Sequence, residues 1–271
     1  MAWFLIILAL IWLIIASIQD IKKREVDNWV SFSLIVFALA YRAFYSTLNN
    51  DLWFFLYGLI GLAVFIVLGY LFYYARIFAG GDAKLLMGLG AVLPLSSGIF
   101  YNLILLGCFV LVFLFIGGIY GLIFSSVLTL KNKERFVKEF RKQFKLRKNL
   151  LYVFLPLFFI SLISPFYFND NLLFVLPFLF LLSPMLLIYA KAVEESCMIV
   201  SVSSKKLTAG DWLYEEVKIG KKIIKPYWEG LSEEEVKILK AYNKKIKIKQ
   251  GIPFIPVFLF SFVLFLIFKN I

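Results

Sequence analysis

The sequence predicts an all-α polytopic membrane protein with about eight (six to eight) transmembrane helices and a small cytoplasmic insert before the last helix. The 271-residue chain is 62% hydrophobic, whereas a soluble domain is about half apolar. Its apolar residues form runs close to the roughly 20 residues that a helix needs to cross a bilayer. Of the 29 lysines and arginines, all but Arg42 and Lys269 fall in segments predicted on one face, which is the positive-inside pattern.

The first predicted span ends in a loop that fixes the orientation of the whole chain. Residues 22–24 are three consecutive basic residues, so this loop is expected in the cytoplasm. The linkers that follow the second and sixth spans contain no basic residue and are expected outside. The first seven predicted spans are residues 2–18, 29–47, 52–78, 82–94, 99–130, 150–168 and 172–190, and the last lies within 252–271.

Two polar stretches interrupt the apolar pattern. Residues 131–149 are rich in lysine and arginine and predict an amphipathic helix on anionic headgroups. Within the polar insert, the spacing of Ser232 and Glu235 predicts a capping box that opens a helix, and residues 244–249 predict a short strand or a surface segment. The predicted domains are therefore a transmembrane catalytic core (1–190), a cytoplasmic insert (191–251) and a final transmembrane helix (252–271).

The composition narrows the chemistry. There is no histidine, which removes His-ligated zinc and the usual Ser-His and Cys-His catalysts. Cys108 and Cys197 lie far apart and predict neither a zinc knuckle nor a disulfide framework. The net charge of +12 is explained by membrane orientation, so we expect the lipid bilayer as a partner and no nucleic acid. We also expect no metal and no cofactor.

Two carboxylates at helix ends carry the functional prediction. Asp20 follows one crossing and Asp82 follows three, so both are expected on the cytoplasmic face at similar depth. Two close carboxylates cannot readily both ionise and can share one proton. The ionised acid can activate water while the protonated acid donates to a carbonyl oxygen. Asp82 is expected at a helix N-terminus, which favours its anion, so Asp82 is the expected base.

Other interpretations of the same residues stay open at this point. Asp82 alone fits a helix N-cap, and Asp20 alone fits a solvated charge at a helix end. A proton- or cation-coupled transporter using both carboxylates is the alternative function, although such sites lie near the membrane midplane. A third possibility is a non-enzymatic scaffold that docks partners through the insert.

Two motifs give the sequence a family resemblance. Residues 15–20 with Arg24-Glu25-Val26, and then residues 80–91, closely resemble the archaeal preflagellin (prearchaellin) peptidases. These belong to the type IV prepilin peptidase family of GxGD aspartyl proteases. The resemblance covers about the first 95 residues, and residues 252–256 resemble the start of the family's last helix. One position departs from the pattern, because Ala79 stands where the first glycine of the Gly-x-Gly-Asp element is expected.

The resemblance implies the site and the reaction. It makes Asp20 and Asp82 the catalytic pair and Gly80 and Gly81 part of the turn beside them. Lys84 is a candidate substrate-binding residue. The implied activity is an aspartic endopeptidase in the cell membrane, with its active site on the cytoplasmic face. It would remove the short basic leader of archaellin or type IV pilin-like precursors. Because the cysteine-rich domain of the methylating relatives is absent, we expect peptidase activity without N-methylation.

Overall fold

The computed structural model describes residues 3–96, 98–168, 170–219, 222–242 and 244–269, with only the backbone described at 172 and 269. Within these residues the chain forms ten α-helices and five short strands. The helices are α1 Trp3–Lys23, α2 Asn28–Asn49, α3 Leu52–Tyr74, α4 Gly80–Val92, α5 Ile99–Lys131, α6 Lys133–Arg147, α7 Asn149–Phe168, α8 Val175–Cys197, α9 Glu233–Tyr242 and α10 Ile255–Lys269. The strands are β1 Ile199–Ser203, β2 Trp212–Leu213, β3 Val217–Ile219, β4 Lys222–Ile224 and β5 Lys245–Lys249.

The helices confirm the prediction of a multi-pass membrane protein. In the described part of the chain, six helices are long and apolar enough to cross a membrane, namely α1, α2, α3, α5, α7 and α8. The remaining two predicted spans are shorter helices: α4 has 13 residues and α10 has 15. The helix α4 begins at Gly80, two residues before the predicted start, so Asp82 lies inside its first turn.

The chain divides into two compact units, and the first contains residues up to 122 together with those from 252 onward. Helix α4 lies deep inside this unit, where it packs against α2 and α3 and buries Leu85, Leu86 and Leu89. At one point the α3 and α4 backbones nearly touch: a Cβ added to Gly90 would lie 2.5 Å from the carbonyl oxygen of Gly61. Small residues of this kind let membrane helices approach closely.

Arg42 joins the C-terminal end of α4 to α2 and α3. Its side chain is completely buried, and the guanidinium donates to the carbonyl oxygens of Phe54 (2.8 Å), Ala91 (2.8 Å), Val92 (3.0 Å) and Pro94 (2.5 Å). The last carbonyls of a helix have no donor within the helix, and a cation there also suits the helix dipole. Arg42 therefore closes α4 at the end opposite Asp82.

The second unit contains residues 123–251. In its helical part α8 packs against α6 and α7, and the Phe136 ring of α6 meets the Tyr189 ring of α8 edge-on. The basic stretch predicted to form an amphipathic helix is α6. Its side chain–side chain contacts include an ion pair between Lys142 and Glu139.

The polar insert within this second unit contains a small sheet as well as a helix. Strands β1, β5 and β2 form an antiparallel sheet in that order, and β3 pairs with β4. The predicted strand at 244–249 is therefore β5, the central strand. The predicted capping box is also present: the N–H of Ser232 donates to Glu235 (2.9 Å), and the N–H of Glu235 donates to the Ser232 hydroxyl (3.3 Å). Leu207, Leu239 and Ile246 belong to a separate apolar core.

Candidate active site

Asp20 is a buried carboxylate one turn before the end of α1. Its side chain is only 6% exposed, and its Oδ2 accepts a hydrogen bond from the backbone N–H of Ile255 at 2.8 Å. The backbone N–H of Phe254 also lies close to the carboxylate. Burial of a carboxylate is costly unless it is hydrogen-bonded, and the start of α10 supplies the donors. The interpretation of Asp20 as a merely solvated charge does not fit this burial.

The loop after Asp20 is tightly organised. Arg24 adopts the left-handed conformation (φ 61°), and its N–H donates to the carbonyl of Asp20 at 2.8 Å, which ends α1. The Gln19 amide both donates to the Asp27 carboxylate and accepts from the Asp27 N–H, each at 3.1 Å. The Arg24 guanidinium acts electrostatically on Asp20. The loop therefore holds a cation near the first acid.

Asp82 is the third residue of α4 and is half-buried. Its Oδ2 accepts a hydrogen bond from the backbone N–H of Ala79 at 3.2 Å. This is one half of a capping box, because Ala79 has no side-chain oxygen with which to return a bond. The helix-capping interpretation of Asp82 is thus compatible with a chemical role, since its carboxylate also faces a second acid.

The structure brings the two predicted acids together. Asp20 lies near the C-terminal end of α1, Asp82 lies at the N-terminal end of α4, and these two helices contact each other. The carboxylates are near enough for the charge of Asp20 to act on Asp82. Tyr120 of α5 is within electrostatic reach of Asp20 and Arg24 as well. One patch of the first unit therefore collects two acids, a cation and a phenol.

The two glycines beside Asp82 are not required by internal packing. A Cβ on Gly81 would meet Val26 at 3.8 Å, and one on Gly80 would meet the Tyr73 ring at 3.9 Å. These are ordinary van der Waals distances. Positive φ among the described glycines occurs at Gly210 and Gly230, so neither Gly80 nor Gly81 takes up an unusual backbone conformation. The turn beside Asp82 is therefore neither strained nor tightly packed at these glycines, and their role beside a substrate stays a prediction.

Lys84 joins α4 to α2. Its amine donates to the side-chain oxygen of Asn28 at 2.7 Å and lies 6.0 Å from the centre of the Phe32 ring. The amine therefore already has an acceptor at the start of α2. To bind substrate as well, the amine would have to donate to both Asn28 and the substrate. The role of Lys84 in substrate binding stays a prediction.

Other acidic side chains differ in how they are placed. Glu194 receives hydrogen bonds from Lys191 at 2.8 Å and from Lys249 at 2.5 Å, and Glu195 pairs with Lys191 at 3.0 Å. Both glutamates are thus engaged within the second unit. Glu25, in the loop after Asp20, is exposed. Among described residues, no group of three or more His, Cys, Asp or Glu side chains is arranged to hold a metal ion.

Sequence reasoning missed two features of this unit. The contact between Asp20 and Ile255 joins residues 235 positions apart, and only the resemblance at residues 252–256 hinted at the importance of this segment. Arg42 was noted solely as a positive charge on the outer side. Its isolation from all other basic residues was the available signal, because an unpaired charge in an apolar span needs an internal partner.

Comparison with known proteins identifies the part of the chain that holds both acids. The sequence profile of the type IV leader peptidase family matches residues 7–126. This part of the chain is therefore similar to that family. Asp20, Asp82 and Tyr120 all lie within the matched region, whereas Ile255 lies outside it. No solved structure matches this chain.

Archaeal peptidases are also similar to parts of this chain. A preflagellin peptidase of Methanocaldococcus jannaschii is 38% identical over 88 residues, covering 32% of this chain and 37% of the relative. A preflagellin peptidase of Methanococcus maripaludis is 33% identical over 119 residues, covering 41% of this chain and 51% of the relative. A prepilin peptidase of Methanothermobacter thermautotrophicus is 30% identical over 94 residues, covering 35% of this chain and 24% of the relative. The matches thus span about a quarter to a half of the relatives' own length.

Proposed function

We propose that this protein is a membrane aspartic endopeptidase that removes the short basic leader of class III precursors, namely archaellins or type IV pilin-like proteins. The observation that carries the proposal is the pairing of Asp20 with Asp82 at the meeting ends of α1 and α4. The family match to residues 7–126 supports the same reaction. The relatives are named for preflagellin and prepilin cleavage, which supports the substrate class.

The reaction needs only the two acids and water. The ionised carboxylate takes a proton from water as the water oxygen bonds to the scissile carbonyl carbon, and the protonated carboxyl gives its proton to the carbonyl oxygen. In the resulting gem-diol the carbon–nitrogen bond then breaks. The amide nitrogen takes the proton gained from water, and one diol proton returns to the second carboxylate. The products are a new carboxyl group and a new amine, and the pair regains its single shared proton.

The depth of the acids suits a precursor whose leader precedes an apolar helix. Asp20 and Asp82 lie at helix ends, and the basic residues 22–24 follow Asp20 at the end of α1 and the start of the next loop. By the positive-inside rule this end faces the cytoplasm. A precursor helix embedded in the bilayer would then leave its leader on that side, with the scissile bond level with the acids. Gly80 and Gly81 present no side chain beside Asp82, and a Cβ at either would meet its neighbours only at 3.8–3.9 Å, which suits the close approach of an extended substrate.

The chain is proposed to cleave without methylating the new N-terminus. The polar insert contains a small sheet and a helix. The whole sequence has two cysteines. The cysteine-rich cytoplasmic domain of the methylating relatives therefore has no counterpart in this sequence. Mass spectrometry of the cleaved product tests this point, because a methylated N-terminus would contradict it.

The central experiment substitutes the two acids separately. Asp20→Asn and Asp82→Asn are expressed in membranes and incubated with an archaellin or pilin precursor, and cleavage is followed by gel shift and mass spectrometry. Each should lose at least about a hundredfold in rate, as expected for loss of a general acid or base. Asp27→Asn is the matched control, because this carboxylate is exposed in the loop and accepts its hydrogen bond from the Gln19 amide; the variant should cleave normally.

Retained cleavage in either Asn variant would refute the catalytic pairing. A coupled transporter would give a different pattern: solute or proton flux in proteoliposomes that Asp82→Asn abolishes, with no cleavage of any precursor. Membranes that show flux and no cleavage would replace the peptidase proposal with that alternative.

A further inference from the structure

The N-terminus of α10 meets the first catalytic acid. The N–H of Ile255 donates to Asp20 Oδ2 at 2.8 Å in a buried setting, and the Phe254 N–H lies close to the same carboxylate. Hydrogen bonds from backbone N–H groups to a carboxylate favour its ionised form. The positive end of the α10 dipole acts in the same direction.

The start of α10 is held firmly in this position. The Phe254 ring packs near the rings of Phe78, Phe113 and Phe258. It also lies directly over Gly117 of α5, where an added Cβ would come within 2.9 Å of the ring. Since Ile255 is 1% exposed, its peptide group is fixed on both sides. The donors therefore reach Asp20 from a rigid element.

Other charged or titratable groups around the pair reinforce the difference between the two acids. Burial of the Asp20 carboxylate disfavours its charge, and Arg24 nearby opposes that effect, while Asp82 faces the negative charge of Asp20. Tyr120 approaches from α5. The first turn of α10 carries no titratable side chain. The Asp82 carboxylate accepts a longer backbone hydrogen bond, from the N–H of Ala79 at 3.2 Å.

We propose that the N-terminus of α10 positions Asp20 and keeps it ionised, so that Asp20 is the base and Asp82 the acid. Asp20 then takes the proton from the attacking water, and Asp82 donates its proton to the carbonyl oxygen. This inference rests on the proposed peptidase function. It reverses the sequence-based expectation that Asp82 is the base, and it gives a role to a segment outside the family match.

The test removes the Ile255 donor. Ile255→Pro eliminates the N–H, and proline is tolerated at the first position of a helix, which Ile255 occupies in α10. Ile255→Ala is the matched control, because it also shortens the buried side chain but keeps the N–H. The pH dependence of kcat/KM for cleavage of an archaellin precursor is measured for both variants in detergent or proteoliposomes.

The half-point of the acidic limb should rise by about 1 pH unit in Ile255→Pro, equivalent to a tenfold change in proton affinity. In Ile255→Ala the half-point should stay at the wild-type pH, even if the rate falls. Equal profiles for the two variants would overturn the inference. A merely structural role for α10 would lower the rate in both variants without moving the half-point.

A second variant covers the case in which Ile255→Pro fails to fold. Gly117→Ala pushes a methyl group against the Phe254 ring and should displace the same donors, with an upward shift of the half-point in the same direction. An unshifted profile in folded Gly117→Ala, with Ile255→Pro unfolded, would also overturn the inference. Failure of the peptidase proposal itself is distinguishable: either the wild-type protein would cleave no precursor, or Asp20→Asn would cleave at the wild-type rate.

Discussion

Substitution of Arg42 should separate the stability of this fold from its chemistry. In Arg42→Met an apolar side chain of similar length replaces the guanidinium, which donates to four backbone carbonyls. Phe54 lies in the first turn of α3, where its carbonyl keeps a helical partner. Those of Ala91, Val92 and Pro94 lie at the end of α4, where helical donors run out.

The magnitude follows from these three carbonyls. A buried acceptor left without a partner costs about 1–3 kcal/mol, so three would cost roughly 3–9 kcal/mol if none found water. Breaking a buried charged contact typically costs about 3–5 kcal/mol, and we expect Arg42→Met in this range. For a chain of this size about 1 kcal/mol lowers the unfolding temperature by roughly 2–4 °C, so the drop should be about 6–20 °C.

The assay is thermal unfolding in detergent, followed by tryptophan fluorescence. Arg42→Lys should give a smaller drop, because one amine cannot reproduce the planar fork of donors. Arg135→Met is the matched control, since Arg135 is exposed on α6, and its unfolding temperature should stay near wild type. An unfolding temperature of Arg42→Met within about 2 °C of wild type would refute this account of the α4 terminus.

Two further predictions concern the faces of α4. Gly81→Ala should leave the unfolding temperature near wild type, because the new methyl meets Val26 only at an ordinary contact distance, but it should crowd the precursor and raise KM about tenfold. Gly90→Ala forces a Cβ into the Gly61 carbonyl and should instead lower the unfolding temperature; equal effects of the two variants in both assays would contradict the distinction. Lys84→Met should break the bond to Asn28 and change KM less than fivefold if the lysine only joins α4 to α2; a larger KM increase that Asn28→Ala does not reproduce would show that the amine binds substrate.

The helical architecture was predictable because the bilayer imposes it locally. Six apolar stretches of sufficient length appear as the six long helices, and the capping box at Ser232 is a contact between residues three apart. The pairing of Asp20 with Asp82 was also predictable, since counting crossings places both acids on one face. In each case a short sequence pattern, or the number of membrane crossings before a residue, is enough to make the prediction.

The remaining features depend on contacts that no local pattern encodes. The Ile255 donor is a backbone group, which has the same chemistry at every non-proline residue, so no side-chain signal marks it. The carbonyls that accept from Arg42 are brought to it by the packing of α2, α3 and α4. The backbone at Gly80 and Gly81 is a related case. Glycine permits unusual conformations without requiring them, and here both residues simply begin a helix.

Helix α4 explains why stability and catalysis should respond to different substitutions. Asp82 and Val92 lie ten residues apart along α4, roughly 15 Å at 1.5 Å per residue. At one end Arg42 satisfies the terminal carbonyls inside the protein. At the other end the Asp82 carboxylate is half-buried, and both neighbouring glycines have space around them. A substitution at Arg42 should therefore lower the unfolding temperature while the surviving folded fraction still cleaves. Asp82→Asn should abolish cleavage while the unfolding temperature stays near wild type, because it removes a proton donor and leaves the end of α4 held by Arg42 intact.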